Sequence, residues 1–166
     1  SEFRLHFASW LEREYGLMPD VESDQYYFIR EMSQLDKNPE VVFEQFMNSG
    51  GFRNIPVVRG SKDMLRQLKS RGYFIQLLTA RPKDNLRCFY DTYHWLDANE
   101  IPFDAIDFSA EKFRWCAKSK YYSKNKIDFA IDDSPKHIAD YTKHGIKCLY
   151  RRKNYNKEAR DLKNAF

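Results

Sequence analysis

No stretch of the 166 residues approaches the roughly 20 consecutive apolar positions that a membrane span requires, and no signal-peptide pattern opens them. A membrane-embedded protein is therefore not expected. Cysteine is scarce: Cys88, Cys116 and Cys148 are odd in number, scattered and without CxxC spacing. That argues against a disulfide framework and a zinc site, and fits reduced thiols in a cytoplasmic protein. A strong excess of one charge is also missing. Lys and Arg number 28 against 24 Asp and Glu, a net +4. This is too little for a dedicated nucleic-acid binder and no obstacle to an anionic substrate. Internal repeats and low-complexity linkers are absent as well. What is present is 42% hydrophobic and 16% aromatic residues, enough for one domain with a substantial core and a small insert.

Up to Gly50-Gly51 the pattern is helical. Phe3, Phe7, Trp10 or Leu11, and Tyr15 recur at steps of three and four residues, and Gly16 closes the segment. A second helix is predicted over 23–35 with Ser23 as its cap. A third is predicted over 39–47, with Asn38 as cap, proline at the first position and Val42, Phe43 and Phe46 inward. Beyond Gly51, helices and strands alternate. Ser61 caps a helix carrying Met64, Leu65 and Leu68. The run 73–78 reads as a strand, and a helix over 83–99 places Leu86, Phe89, Tyr93 and Leu96 on one face. Further strands are predicted over 103–108, 127–131 and 146–150, and further helices over 110–122 and 135–143. The basic tail from Arg151 adds at most a short helix whose charges make a solvated face. Strands that are continuous apolar runs between helices indicate an α/β fold, a parallel sheet covered on both faces.

In such sheets ligands sit beyond the carboxyl ends of the strands, and three ends here carry polar residues. Thr79-Ala80-Arg81 offers a hydroxyl and backbone N–H groups suited to a phosphate oxygen; the plainer alternative is that Thr79 caps the next helix. Ser109-Ala110-Glu111-Lys112 offers an ammonium that could neutralise a phosphoryl group as its charge develops. With Lys118, Lys120, Lys124 and Lys126 nearby, a surface role is the default for any one of these lysines. The third end is KIDFAIDDSPKHI, 126–138, where Asp132 and Asp133 terminate an apolar strand. Adjacent carboxylates repel unless a cation is present, and Mg²⁺, which prefers oxygen ligands and keeps several waters, resolves the conflict. The structural alternative makes Asp133 a helix cap and leaves Asp132 in solvent. An acid pair closing an apolar strand favours the metal.

Taken in order, LLTARP (77–82), Lys112 and IDDSPKHI (131–138) resemble the second, third and fourth motifs of the haloacid dehalogenase (HAD) superfamily, in particular its 5′(3′)-deoxyribonucleotidase-like branch. The run 55–82 is similar to that branch's approach to its second motif, and NYN at 154–156 to its C-terminal end. The resemblance implies a HAD-like doubly wound, Rossmann-like parallel sheet over 51–166 with a small N-terminal helical cap over 1–50. It also implies that Thr79, with the backbone at Ala80 and Arg81, binds a phosphoryl group. Lys112 would steady the phosphoryl charge, with Lys118 as the alternative; Cys116, four residues after Lys112, supports the first. Asp133 would ligate Mg²⁺ and Asp132 would orient its waters. The implied activity is that of a Mg²⁺-dependent phosphatase, with Thr79 and Lys112 catalytic, acting on a nucleoside monophosphate or similar small phosphorylated substrate.

One departure stands out. The superfamily's first motif, a strand ending in Asp-x-Asp-Gly, supplies the attacking aspartate and a general acid-base. Here the earliest aspartates, Asp20 and Asp24, lie in a polar stretch, PDVESD (19–24), and follow no apolar strand. The chain is therefore expected to begin within the cap, to lack the first core strand and, by itself, to turn over little or no substrate. Two rivals follow. One is a non-catalytic HAD-like module that binds a nucleotide or a protein partner. The other is a phospho-receiver domain, which carries its acid pair early and its lysine last, against the order Thr, Lys, acid pair here. Nucleic-acid binding through Tyr26-Tyr27-Phe28 and Arg151-Arg152-Lys153 is disfavoured, because aromatics at helical spacing are more often core. Phe3, Phe7, Trp10 and Phe46 either stack on a substrate base or pack inside the cap.

Overall fold

The apolar stripe at three- and four-residue steps builds helix α1, Glu2–Tyr15, in a computed structural model that describes residues 2–24, 28–109 and 127–166. The chain divides into two compact units, Ser1–Val21 with Phe28–Ala110, and Glu22–Tyr27 with Glu111–Phe166. The expected helix over 110–122, together with Lys112, Cys116 and Lys118, lies outside the described residues.

In the first unit Phe7, Trp10 and Leu11 of α1 are buried against Phe28, Met32, Phe52 and helix α3, Pro39–Asn48. α3 begins as the sequence predicts: Asn38 Oδ1 accepts the Glu40 N–H at 2.9 Å and Pro39 takes the first helical position. Ring centroids lie 4.8 Å apart for Phe7–Phe46 and 5.4 Å for Phe46–Phe52; such pairs contribute about 0.5–1.5 kcal/mol each beyond burial. Two glycines allow the chain to leave α3 so tightly. Gly50 adopts φ 84°, and a Cβ on Gly51 would lie 2.3 Å from the Phe46 ring.

The second predicted helix shortens to α2, Ile29–Met32. Ser23 and Asp24 sit in a bend, and after Met32 the backbone bonds tighten to three-residue steps, Gln34 N–H to Glu31 and Leu35 N–H to Met32. Ser61 is the first residue of α4, Ser61–Ser70, and not its cap; Gly60 holds that position, while Ser61 Oγ donates back to the Val58 carbonyl at 2.7 Å. Strand β1, Gln76–Thr79, begins later than the apolar run suggests, because the end of α4 takes the Tyr73 N–H onto the Leu68 carbonyl. It pairs in parallel with β2, Ala105–Phe108, from Gln76↔Ala105 to Thr79↔Phe108. Helix α5, Leu86–Ala98, starts at an Asn85 cap and buries Cys88, Asp91, Thr92 and Leu96. The expected stripe is thus corrected: Leu86 is 66% exposed, and Phe89 and Tyr93 lean on Phe108 of β2.

In the second unit β3, Phe129–Ile131, and β4, Lys147–Leu149, pair in parallel across helix α6, Pro135–Lys143. The far edge of β4 is taken by the chain's own end: Cys148 N–H donates to Asn164, and the Phe166 and Tyr150 N–H groups donate to Cys148 and Phe166. The tail forms a 3₁₀ segment, Asn154–Asp161. Its charges do face solvent, but Tyr155, Asn156 and Ala159 are buried, which a purely solvated face does not explain. Alternating helices and strands with parallel pairing in both units make this an α/β protein, its described strands forming two two-stranded parallel sheets. Among the described residues no helix is long and apolar enough to cross a membrane.

Gly51→Ala is expected to destabilise the protein by about 1–3 kcal/mol through overpacking, and to cost less in a Phe46→Leu background, as a double-mutant cycle in urea would register. The Asp104 carboxyl is held below its ordinary 3.8 by the Ile75 N–H and by Lys69. A depressed pKa stabilises above the ordinary value and loses its effect as pH falls through the depressed one. The urea-midpoint difference between parent and Asp104→Asn should therefore be present at neutral pH and shrink as pH falls below the ordinary 3.8.

Candidate active site

β1 delivers Thr79 to the carboxyl end of its sheet, with its carbonyl accepting the Ser109 N–H at 2.8 Å. Thr79 Oγ1 accepts the Arg81 N–H at 3.3 Å. A hydroxyl that accepts from its own turn keeps its proton to donate, which is the polarity an anion oxygen needs. Thr79 is no helix cap: Asn85 fills that role, its Oδ1 accepting the Cys88 N–H at 2.9 Å. Ala80 is exposed beside it.

Arg81 behaves differently from the phosphate ligand read from sequence. Its backbone N–H serves Thr79, and its guanidinium turns inward, donating to Thr92 Oγ1 at 3.0 Å and lying 4.2 Å from the Phe52 ring. Burial draws it down to about 10 against the pull of neighbouring Cys88 and Asp91, so it remains a cation at neutral pH. Burial pushes the Cys88 thiol up from 9.0. Beside them Asp91, 1% exposed, receives Arg87 Nε at 2.8 Å and Arg53 Nη1 at 3.4 Å. The four-residue spacing of Arg87 and Asp91 is a local signal that could have pointed to this network; Arg53 joins from 38 residues away.

In the second unit β3 runs into Asp132 and Asp133, both half-buried. The Asp132 N–H donates to the Leu149 carbonyl at 3.2 Å, and Asp132 Oδ1 accepts the Ser134 N–H at 3.0 Å. Ser134 takes the cap position of α6 with Pro135 behind it, so neither aspartate is the cap. Asp133 Oδ2 accepts the Tyr155 hydroxyl at 2.9 Å, and its carbonyl accepts Asn156 Nδ2 at 3.1 Å. Asn156 also donates to the Arg151 carbonyl at 3.0 Å and accepts the Lys153 N–H at 2.8 Å. In the sequence the NYN triplet is a resemblance alone; its hold on Asp133 spans 22 residues and leaves no local pattern.

Two hard carboxylates at one strand end fit Mg²⁺, which takes one or two protein carboxylates and completes its shell with water and phosphate oxygens. Among the described residues no group of three or more His, Cys, Asp or Glu gathers as a cation site. The rings raised as base-stacking candidates are committed elsewhere: Phe7, Trp10 and Phe46 are core, and Phe3 packs against them.

Parallel strands that end in a Thr-Ala-Arg turn in one unit and an Asp-Asp-Ser-Pro turn in the other define an α/β protein with HAD-type strand ends. The family model described as "5' nucleotidase, deoxy (Pyrimidine), cytosolic type C protein" matches residues 7–165, and the chain belongs to that HAD-like 5′-nucleotidase family. It is 29% identical over 112 residues to "Putative nucleotidase" of Oceanobacillus iheyensis, covering 67% of this chain and 57% of that protein. It is 26% identical over 117 residues to "Putative 5'(3')-deoxyribonucleotidase" of Chlorobaculum tepidum, covering 69% and 53%. The chain thus spans little more than half the length of the curated relatives it matches.

Arg81→Lys is expected to cost about 2 kcal/mol in urea unfolding, because an ammonium reproduces neither the planar stacking on Phe52 nor the directed bond to Thr92.

Proposed function

We propose that this chain is part of a Mg²⁺-dependent phosphomonoesterase that hydrolyses nucleoside monophosphates in the cytoplasm. The observation that carries the reading is the acid pair at the end of β3, each carboxylate oriented by its own donor, Ser134 N–H or Tyr155 hydroxyl, within a chain of this family. In this reading the family's doubly wound sheet occupies 51–166 and its helical cap 1–50. Thr79 donates its hydroxyl proton, and Ala80 its main-chain N–H, to phosphoryl oxygens. Lys112, or Lys118 in its place, neutralises charge on the phosphoryl group. Asp133 holds Mg²⁺ directly and Asp132 holds it through water; the ion, when bound, supplies positive charge beside the phosphoryl oxygens. Arg81 holds the turn that presents Thr79.

No Asp-x-Asp occurs in the 166 residues, so that motif supplies no nucleophile for an aspartyl-phosphate within them. The 166-residue chain is expected to bind nucleoside monophosphates in the presence of Mg²⁺ without releasing phosphate. Calorimetric titration tests this. Thr79→Val should weaken binding tenfold or more, a hydrogen bond to a charged group contributing about 1.5–3 kcal/mol, and Asp133→Asn should remove the Mg²⁺ dependence. Binding indifferent to Mg²⁺ and to both substitutions would overturn the reading, and phosphate release that Asp133→Asn abolishes would overturn the expected lack of turnover.

A further inference from the structure

Asp133 is gripped twice by consecutive residues of a distant segment. Tyr155 donates its hydroxyl to Oδ2 at 2.9 Å, and Asn156 donates to the main-chain carbonyl at 3.1 Å. Tyr155 is 8% exposed and Asn156 1%. Three of the Asn156 bonds go to backbone atoms, of Asp133, Arg151 and Lys153. The amide thus fastens the start of the 3₁₀ segment to the end of β3, and in doing so sets where the Tyr155 ring stands. A tyrosine needed only to fill space could point its hydroxyl to solvent. This one is directed at a single oxygen of the acid pair and so fixes the plane of that carboxylate.

We propose that Tyr155 is a positioning residue for Asp133: its hydroxyl, held in place through Asn156, orients the carboxylate toward a divalent cation. The inference rests on the metal reading above. Partners of this kind behind a ligating carboxylate change metal affinity without touching the ion.

The test is Mn²⁺ binding to the 166-residue chain, read by electron paramagnetic resonance with urea midpoints measured alongside. Tyr155→Phe is expected to weaken Mn²⁺ binding on the order of tenfold or more, and Asp133→Asn to abolish it. A merely structural hydroxyl would lower the urea midpoint and leave the affinity unchanged, which would overturn the proposal while the metal reading stood. Equal binding by the parent and Asp133→Asn would overturn both. Should Tyr155→Phe fail to fold, fluorotyrosine placed at 155 in the otherwise unchanged chain gives a second reading by fluorine NMR. Its signal should move on adding Mg²⁺ with the midpoint of ion binding, and a stationary signal at saturating Mg²⁺ would overturn the proposal.

Discussion

Two carboxylates on consecutive residues repel each other unless a cation is present, and in the second unit each receives a hydrogen-bond donor. Donors arrive from near and from far along the chain: the Ser134 N–H from the start of α6 to Asp132, and the Tyr155 hydroxyl from the tail to Asp133. Each uses one oxygen of its partner. The backbone contributes as well, since the Asp132 N–H continues the ladder to β4 through the Leu149 carbonyl. The strand end, the helix start and the tail are therefore one hydrogen-bonded assembly, and the carboxylate pair is the point where the three segments meet.

The first unit solves a different problem. Its aromatic cluster packs rings from α1, α3 and Phe52 closely enough that Gly51 has no room for a methyl group. On α5 the buried face is partly polar, and Asp91 is accepted there only because two arginines reach it. Arg81 belongs to the same layer, its charge shielded by Phe52 and tied to Thr92. Arg81 is thus a strut behind the turn that carries Thr79, and the hydroxyl rather than the guanidinium is what that turn presents.

Local chemistry made much of this legible in the sequence. Asn38-Pro39 and Ser134-Pro135 mark the starts of α3 and α6, and the four described strands lie within the apolar runs or at their ends. The errors have physical causes. β1 starts late because a helix terminus takes the Tyr73 N–H, and Ser61 turns back to Val58 instead of capping. Periodicity counted Leu86 as core and gave no sign of the buried Asp91, because hydrophobic patterning cannot foresee that ion pairs will permit burial of a carboxylate. The strand-end motifs were readable by type and order. The grip of Tyr155 and Asn156 on Asp133 was not, since it depends on a long-range return of the chain.

β4 has hydrogen-bonding partners on both sides, β3 on one and the residues around Ala165 on the other. A three-residue strand with both flanks occupied offers no template to a foreign chain, so this side of the little sheet is sealed by its own polypeptide. Shaving Asn164 to Phe166 away would bare the Cys148 amide and carbonyl, turning a closed border into an adhesive one.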